Sequence, residues 1–373
     1  MLFCARSARR ALQQSHTALT QKHALSTTTS PPPKTIFSGI QPTGVPHLGN
    51  YLGALRQWVK LQDESSPDTT LIYSLVDLHA ITIRQDPKQL RKWKRESLAM
   101  MLAIGLDPKR SIIFHQSDVA AHAELMWILS CQASTGYLSR MTQWKDKTSN
   151  EKDGNERLKL GLFSYPVLQA ADILVHKSTH VPVGHDQAQH LEFAREVANG
   201  FNHVFGQGRE ILTAPETLIS PARRVMSLTE PTSKMSKSAK NHKSRILLTD
   251  DEETVKAKIK SALTDANKDG ISYDPDTRPG VSNLIDLLYH CSAEEGYQSQ
   301  EALAQDLKDI TLRSLKKQVI AAVEAQVKPI RERYAEIIND SATMEAAAVE
   351  GAEKANKSAD ATLAKVKRVV GLA

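Results

Sequence analysis

The chain is expected to be an α/β protein, with a Rossmann-like parallel-sheet domain followed by a C-terminal α-helical domain. Two observations predict this. Between residues 34 and 213, short apolar runs at 35–40, 71–76, 111–115 and 180–183 alternate with helical segments, the pattern of βα units on a parallel sheet. From about residue 249 to the end the pattern is mostly helical and rich in alanine, lysine and glutamate. A length of 373 residues leaves room for both regions, and no internal repeat interrupts them.

The first 33 residues stand apart from this body. They carry Arg6, Arg9, Arg10 and Lys22 with many serines and threonines, and the first carboxylate side chain of the sequence is Asp63. In a short helix Arg6, Arg9 and Arg10 would share one face, with Cys4, Ala8 and Leu12 on the other. That is the makeup of a mitochondrial transit peptide, the competing reading being a merely disordered tail. No apolar h-region or long apolar span is present, which argues against secretion and against membrane insertion. Pro31-Pro32-Pro33 marks a stiff junction, and the expected division is 1–33 leader, 34–245 parallel-sheet domain and 246–373 helical region.

The first βα unit follows. An apolar run at Thr35-Ile36-Phe37 leads into Pro46-His47-Leu48-Gly49-Asn50 and then an amphipathic run over 51–61: strand, glycine-containing turn, helix. A helix starting near Gly49 would aim unpaired N–H groups and its positive end at the turn, stabilising an anion there. Gly39, Gly44 and Gly49 would let backbone approach a ligand closely, and His47 could donate to a phosphate oxygen. Further along, Asp86-Pro87 starts a helix that Gly105 closes. Residues 121–133 form an apolar helix, and 145–159 form a polar, charge-dense surface loop. Thr249 or Asp250, with Glu252 and Glu253, starts the helical region.

Global charge says little about partners. The leader's cations account for +4 of the net +6, leaving 44 basic against 42 acidic residues for the body. Local clustering carries more: Arg209, Arg223, Arg224, Lys234, Lys237, Lys240, Lys243 and Arg245 face only Glu210, Glu216 and Glu230 in the same stretch, an excess suited to phosphates. A second basic run over 308–333 (Lys308, Arg313, Lys316, Lys317, Lys328, Arg331, Arg333) reads as a solvated helix face. Cys4, Cys131 and Cys291 are too dispersed for a disulfide framework or a metal site. His176, His180, His185 and His190 are spaced across a Pro182–Gly184 break, unlike a zinc site.

Lys234-Met235-Ser236-Lys237-Ser238 offers two cations and two hydroxyls, what a departing polyphosphate requires. Alone, such a run is common in solvated loops, and a glycine turn before a helix is ordinary βα punctuation. In this order and about 185 residues apart, the two resemble the paired ATP signatures of class I aminoacyl-tRNA synthetases. Further blocks narrow the resemblance to the tryptophanyl branch: Ser38-Gly39-Ile40-Gln41-Pro42-Thr43-Gly44, Asp77-Leu78-His79-Ala80-Ile81-Thr82, Tyr165-Pro166-Val167-Leu168-Gln169-Ala170-Ala171-Asp172-Ile173-Leu174 and Pro182-Val183-Gly184-His185-Asp186-Gln187. They run collinearly over nearly all the chain after the leader.

The resemblance implies ATP and Mg2+ as substrate and cofactor, L-tryptophan and tRNA(Trp) as partners, a homodimer, no membrane, and, with the leader, the mitochondrial matrix. It implies Lys234, Lys237, His47 and Lys147 as catalytic groups. ATP would contact Gln41, Pro42, Thr43, Gly49, Asn50, Gly184, His185, Asp186, Gln187, Val225, Met235, Ser236 and Ser238 besides the two lysines. The tryptophan pocket would comprise Asp172, Phe37, His79, Tyr165, Gln169, Val181 and Val183, with Asp172 accepting the indole N–H. From the residues alone, Asp172 could equally cap a helix or sit in an ion pair. No metal cage is expected, since Mg2+ rides on the phosphates. The C-terminal helices would read the anticodon, and the 121–133 helix would face the dimer partner.

Four positions depart from the family's pattern. Asn50 stands where most class I synthetases have a second histidine, as is usual in the tryptophan branch. Gln169 replaces a methionine frequent in bacterial relatives, His185 replaces an acidic residue, and Leu78 a polar one. A tyrosyl-tRNA synthetase, or a non-catalytic mitochondrial RNA-binding protein on the same fold, are the competing readings.

Overall fold

Apolar residues alternate along the strands and so sort into two layers. In the computed structural model, which describes residues 33–149, 159–184, 187–219, 225–237, 239–267, 270–292 and 296–373, the strands are β1 (Thr35–Ile40), β2 (Thr70–Leu75), β3 (Ser111–His115), β4 (His180–Val183) and β5 (Glu216–Ile219). All pair in parallel, in the order β3-β2-β1-β4-β5. Side chains of successive strand residues point to opposite faces. Ile36, Leu71, Tyr73 and Ile113 therefore join one core, while Phe37, Ile72 and Phe114 join the other. Burial on both faces is what a parallel sheet covered by helices requires. Apart from Pro33, the leader lies outside the described residues.

Helices fill both layers. After β1 come α1 (Leu48–Asn50), a wide π turn (Tyr51–Leu55) and α2 (Arg56–Glu64). Next are α3 (Asp77–Ala80), α4 (Pro87–Ala103), α5 (Ala121–Ser130), α6 (Thr135–Arg140), α7 (Thr142–Ser149), α8 (Leu160–Val175) and α9 (Ala188–Phe205). The remainder comprises α10 (Glu252–Lys260), α11 (Pro279–Cys291), α12 (Gln300–Asp306), α13 (Leu312–Ile337) and α14 (Ser341–Val370). The start of α4 follows its chemistry: Asp86 accepts from the Gln89 N–H at 2.8 Å, Pro87 takes the first turn, and Gly105 with φ +109° follows the end.

Residues 33–373 cluster as one unit, because the C-terminal helices share cores with the sheet. α14 does so in both layers. Met344 belongs to the core on one face, while Ala355, Ala359, Leu363 and Val366 belong to the core on the other. Between them a Cβ at Gly351 would sit 1.7 Å from the Ile113 carbonyl oxygen, so only glycine lets the helix backbone come this close to β3.

Several expectations are corrected. β5 extends the sheet beyond residue 213; its four residues include an exposed glutamate, too short a run to register as a buried strand. The cap of α10 is Asp251, which accepts from the Thr254 N–H at 2.7 Å. Asp250 instead accepts from the Leu247 N–H and pairs with Lys258. The 145–159 loop is in part helical, since α7 runs to Ser149; 150–158 lie outside the described residues. The second basic run is a solvated face only in part: Lys308, Arg313, Lys317 and Lys328 are exposed, but three of its cations reach partners in the protein. Lys316 donates to the Lys260 and Ala262 carbonyls, Arg331 to Glu324 and the Asp250 carbonyl, and Arg333 to the Ala103 carbonyl at 2.7 Å.

Candidate active site

The strand order reverses between β1 and β4, and open α/β sheets bind ligands beyond the carboxyl ends of their strands at such a point. A cavity of about 400 Å³ lies there. Its lining includes Phe37, Gln41, Asn50, His79, Tyr165, Gln169, Asp172, Val181, Gly184 and Gln187, all expected from the sequence. Gly53 and Ala54 from the π turn, Gln57, Trp58, Val76, Gln143 and Ile173 also line it and were not expected.

Asp172 forms the inner wall. It is 1% exposed and sits inside α8, not at its cap. Its Oδ2 accepts from His79 Nε2 at 2.8 Å, and its Oδ1 accepts from Gln116 Nε2 at 2.6 Å and His122 Nδ1 at 2.7 Å. Burial would raise its pKa, but the hydrogen bonds from His122 and His79 outweigh that and hold the carboxyl well below the usual range. A carboxylate has about four lone-pair positions, so one on Oδ2 is left.

The donors are themselves held. Gln116 Oε1 accepts from the Leu78 N–H at 3.0 Å, which fixes its amide with the nitrogen toward Asp172. Asp77 ties the α3 turn to the 116–118 turn, accepting from the Ser117 N–H at 2.8 Å and pairing with Lys94 at 2.5 Å. Two turns earlier on α8, Tyr165 donates to Gln143 Oε1, and burial pushes its phenol up to about 12. Gln169 Nε2 donates to Gln187 Oε1 at 3.3 Å. Gln116 and His122 escaped sequence reasoning; the one available signal was a histidine inside the apolar run Ala121-His122-Ala123-Glu124-Leu125.

The two phosphate motifs meet beside this cavity. Leu48 N–H donates to the Ile246 carbonyl at 2.8 Å and Leu248 N–H to the Pro46 carbonyl at 3.0 Å, binding the turn to the segment after the lysine-serine loop. Lys237 Nζ donates to the Gly44 carbonyl at 3.1 Å, and burial lowers its pKa to about 8. Met226 and Lys234 pair as an isolated antiparallel bridge, Met235 and Val225 bury their side chains in the core, and Lys234 stays exposed.

The helix start differs from expectation. α1 begins at Leu48, and His47 caps it: its Nδ1 accepts from the Asn50 N–H at 3.2 Å while Asn50 Oδ1 accepts from the His47 N–H at 3.1 Å. Two N–H groups of this first turn, those of Leu48 and Asn50, thus have partners within the protein. Burial, then Lys237, Arg245 and Lys234, lower the His47 pKa to about 4, so the ring is neutral at pH 7. With Nδ1 accepting, the proton lies on Nε2. Arg245 is 8% exposed and donates to the Ala239 carbonyl at 2.8 Å, making it a support of the loop.

Pro42 is buried, and Thr43 and Gly49 are half-buried near the cavity rim without lining it. Ser236 is half-buried. Lys147 lies in α7, and Val183 in β4. His185, Asp186 and Ser238 lie outside the described residues, as do Arg223 and Arg224.

Comparison with known proteins follows the same lines. Residues 30–328 match the family described as tRNA synthetases class I (W and Y). The mitochondrial tryptophan–tRNA ligase of Schizosaccharomyces pombe is 41% identical over 354 residues, covering 91% of this chain and 96% of that protein. Its Saccharomyces cerevisiae counterpart is 41% identical over 349 residues, 90% of each. Among solved structures, the Mycoplasma pneumoniae tryptophanyl-tRNA synthetase superposes with a TM-score of 0.78 at 31% identity, over 91% of this chain and 98% of that one. The Campylobacter jejuni enzyme, solved with ADP and tryptophan, gives 0.74 at 32% identity, over 91% and 100%.

Proposed function

We propose, from the premise that this chain belongs to the class I tRNA synthetases of the tryptophan and tyrosine group, that it is a mitochondrial tryptophan–tRNA ligase. The tryptophan carboxylate attacks the α-phosphorus of ATP, tryptophanyl-adenylate forms and pyrophosphate leaves. A ribose hydroxyl at the 3′-end of tRNA(Trp) then displaces AMP, forming the aminoacyl ester. One observation carries the choice of amino acid: the buried, ionised Asp172, with an acceptor position left on Oδ2, walls a cavity large enough for an indole. A site built to accept a hydrogen bond rejects side chains that cannot donate one.

The first step needs no general base, because the attacking carboxylate is already ionised near pH 7. Positioning and charge stabilisation do the work. Phe37, His79, Tyr165, Gln169 and Val181 hold the amino acid, with Val183 assigned beside them. Gln41, Asn50, Gly184 and Gln187 take the nucleotide, joined by Pro42, Thr43, Gly49, Val225, Met235, Ser236, Ser238, His185 and Asp186 on the strength of the family pattern. Lys234 and Lys237 receive the charge of the departing pyrophosphate, Lys147 supplies a further cation, and the neutral His47 donates from Nε2.

Magnesium would arrive on the phosphates. Among the described residues no group of three or more histidine, cysteine or carboxylate side chains is gathered as a cage would need. Mg2+ prefers phosphate oxygens and water, and bound there it would neutralise part of the triphosphate charge.

We assign residues 34–245 to catalysis and 246–373 to anticodon recognition, with 1–33 a transit peptide delivering the chain to the matrix. A homodimer is supported by Trp127, a large apolar side chain 70% exposed on α5. No described helix is long and apolar enough to cross a membrane. Amino-acid-dependent exchange of pyrophosphate into ATP tests the core of this: tryptophan should support exchange, and exchange with tyrosine alone would overturn it. Protection of the 246–373 region in tRNA footprinting should accompany it; protection confined to 34–245 would refute the division.

A further inference from the structure

Behind Asp172 the hydrogen bonding continues away from the cavity. His122 Nε2 lies 3.2 Å from His176 Nε2, and His176 Nδ1 lies 3.2 Å from Ser358 Oγ on α14. His122 is 0% and His176 3% exposed, so no solvent water competes for these nitrogens. Burial lowers the His176 pKa to about 3, which keeps it neutral at pH 7. With His176 neutral, one proton assignment serves every contact. Ser358 O–H donates to His176 Nδ1, His176 Nε2–H to His122 Nε2, and His122 Nδ1–H to Asp172 Oδ1. All three donors then point toward the carboxylate, and dipoles aligned this way strengthen one another in a low-dielectric interior.

We infer that His122 is a specificity-determining positioning residue, which with Gln116 saturates Asp172 Oδ1 so that the one acceptor position left, on Oδ2, faces the side chain of the bound amino acid. Without the His122 donor the carboxylate could rotate or recruit water, and its preference for an N–H partner would weaken. His176 and Ser358 hold His122 in the donating tautomer, so the last helix, far along the chain, contributes to amino-acid choice. A purely space-filling histidine pair would not need this proton order.

The inference rests on the tryptophan reading of the site, and one experiment separates the two. Pyrophosphate exchange by the full chain is measured with tryptophan and with 3-benzothienylalanine, in which sulfur replaces the indole N–H. If the unaltered chain shows no exchange with tryptophan, the ligase reading itself falls and the positioning role with it. If it does, His122→Phe should lower the preference for tryptophan over the analogue by about tenfold or more, chiefly through KM for tryptophan. His122→Asn, whose amide N–H can stand where Nδ1–H stood, should keep most of that preference. Equal loss on both substrates in His122→Phe would overturn the inference, because it would mark a merely structural role. Should His122→Phe fail to fold, 15N NMR of the unaltered chain decides: a proton on His122 Nδ1 supports the inference, and an Nε2–H tautomer with Nδ1 bare overturns it.

Discussion

The two ends of the cavity are built differently. At the amino-acid end, Asp172, His79, His122 and Gln116 are all buried, and each is fixed by a partner that is itself fixed. At the nucleotide end Lys234 is exposed, and Lys237 rests on a backbone carbonyl of the opposite motif. The rigid end can discriminate between substrates, because buried polar groups without a partner are costly. The open end suits groups that must follow a moving charge, since a clamp on a leaving phosphate is useful only if it can close and release.

The contrast can be broken first at Asp172. Asp172→Ala would strand three buried donors, so we expect a stability loss of about 3–5 kcal/mol in urea unfolding together with loss of tryptophan-dependent exchange. A fully stable variant would mean the inner wall is not the rigid element described. Lys237→Ala attacks the other end. Exchange should fall about 10²–10³-fold in kcat, with KM for tryptophan nearly unchanged and no large change in unfolding. A comparable loss of stability there would erase the distinction between the two ends.

Acidification sharpens the comparison by acting on both. His47 and His176 have folded pKa values near 4 and 3, below the unfolded value of about 6.5, so the unfolded chain binds more protons between those limits. Stability should therefore be fully present above pH 6.5 and decline as pH falls toward 4, each ring contributing on the order of 3 kcal/mol. ATP, placing negative charge near His47, should ease only that ring's share, and equal protection of both by ATP in thermal melts would contradict the separation. The smallest effect is expected far from either end: Gly351→Ala should cost about 1–3 kcal/mol in urea unfolding.

Much of the fold was legible because burial on both faces of a parallel sheet leaves continuous apolar runs, as at 35–40 and 111–115. β5 escaped because Glu216-Thr217-Leu218-Ile219 is short and carries a charge at the edge of the sheet. Asp251 was missed as a cap because three candidates stand in a row, and only backbone geometry selects among them. The pocket residues were legible where a local block carried them. Gln116 and His122 were not, since they reach Asp172 from 56 and 50 residues away and nothing in their own neighbourhoods marks the meeting. Lys316, Arg331 and Arg333 misled for the same reason: a cation looks solvated in a sequence until the carbonyl it will find is known.

The crossing of α14 over β3 has a consequence beyond packing. β3 ends the sheet, and an uncovered terminal strand offers its backbone to any other extended chain. With Gly351 against the Ile113 carbonyl, α14 closes that side. A chain still emerging from a ribosome, or shortened by a protease before residue 341, would present a sticky border until this strap arrived. Covering of the β3 border therefore waits on α14.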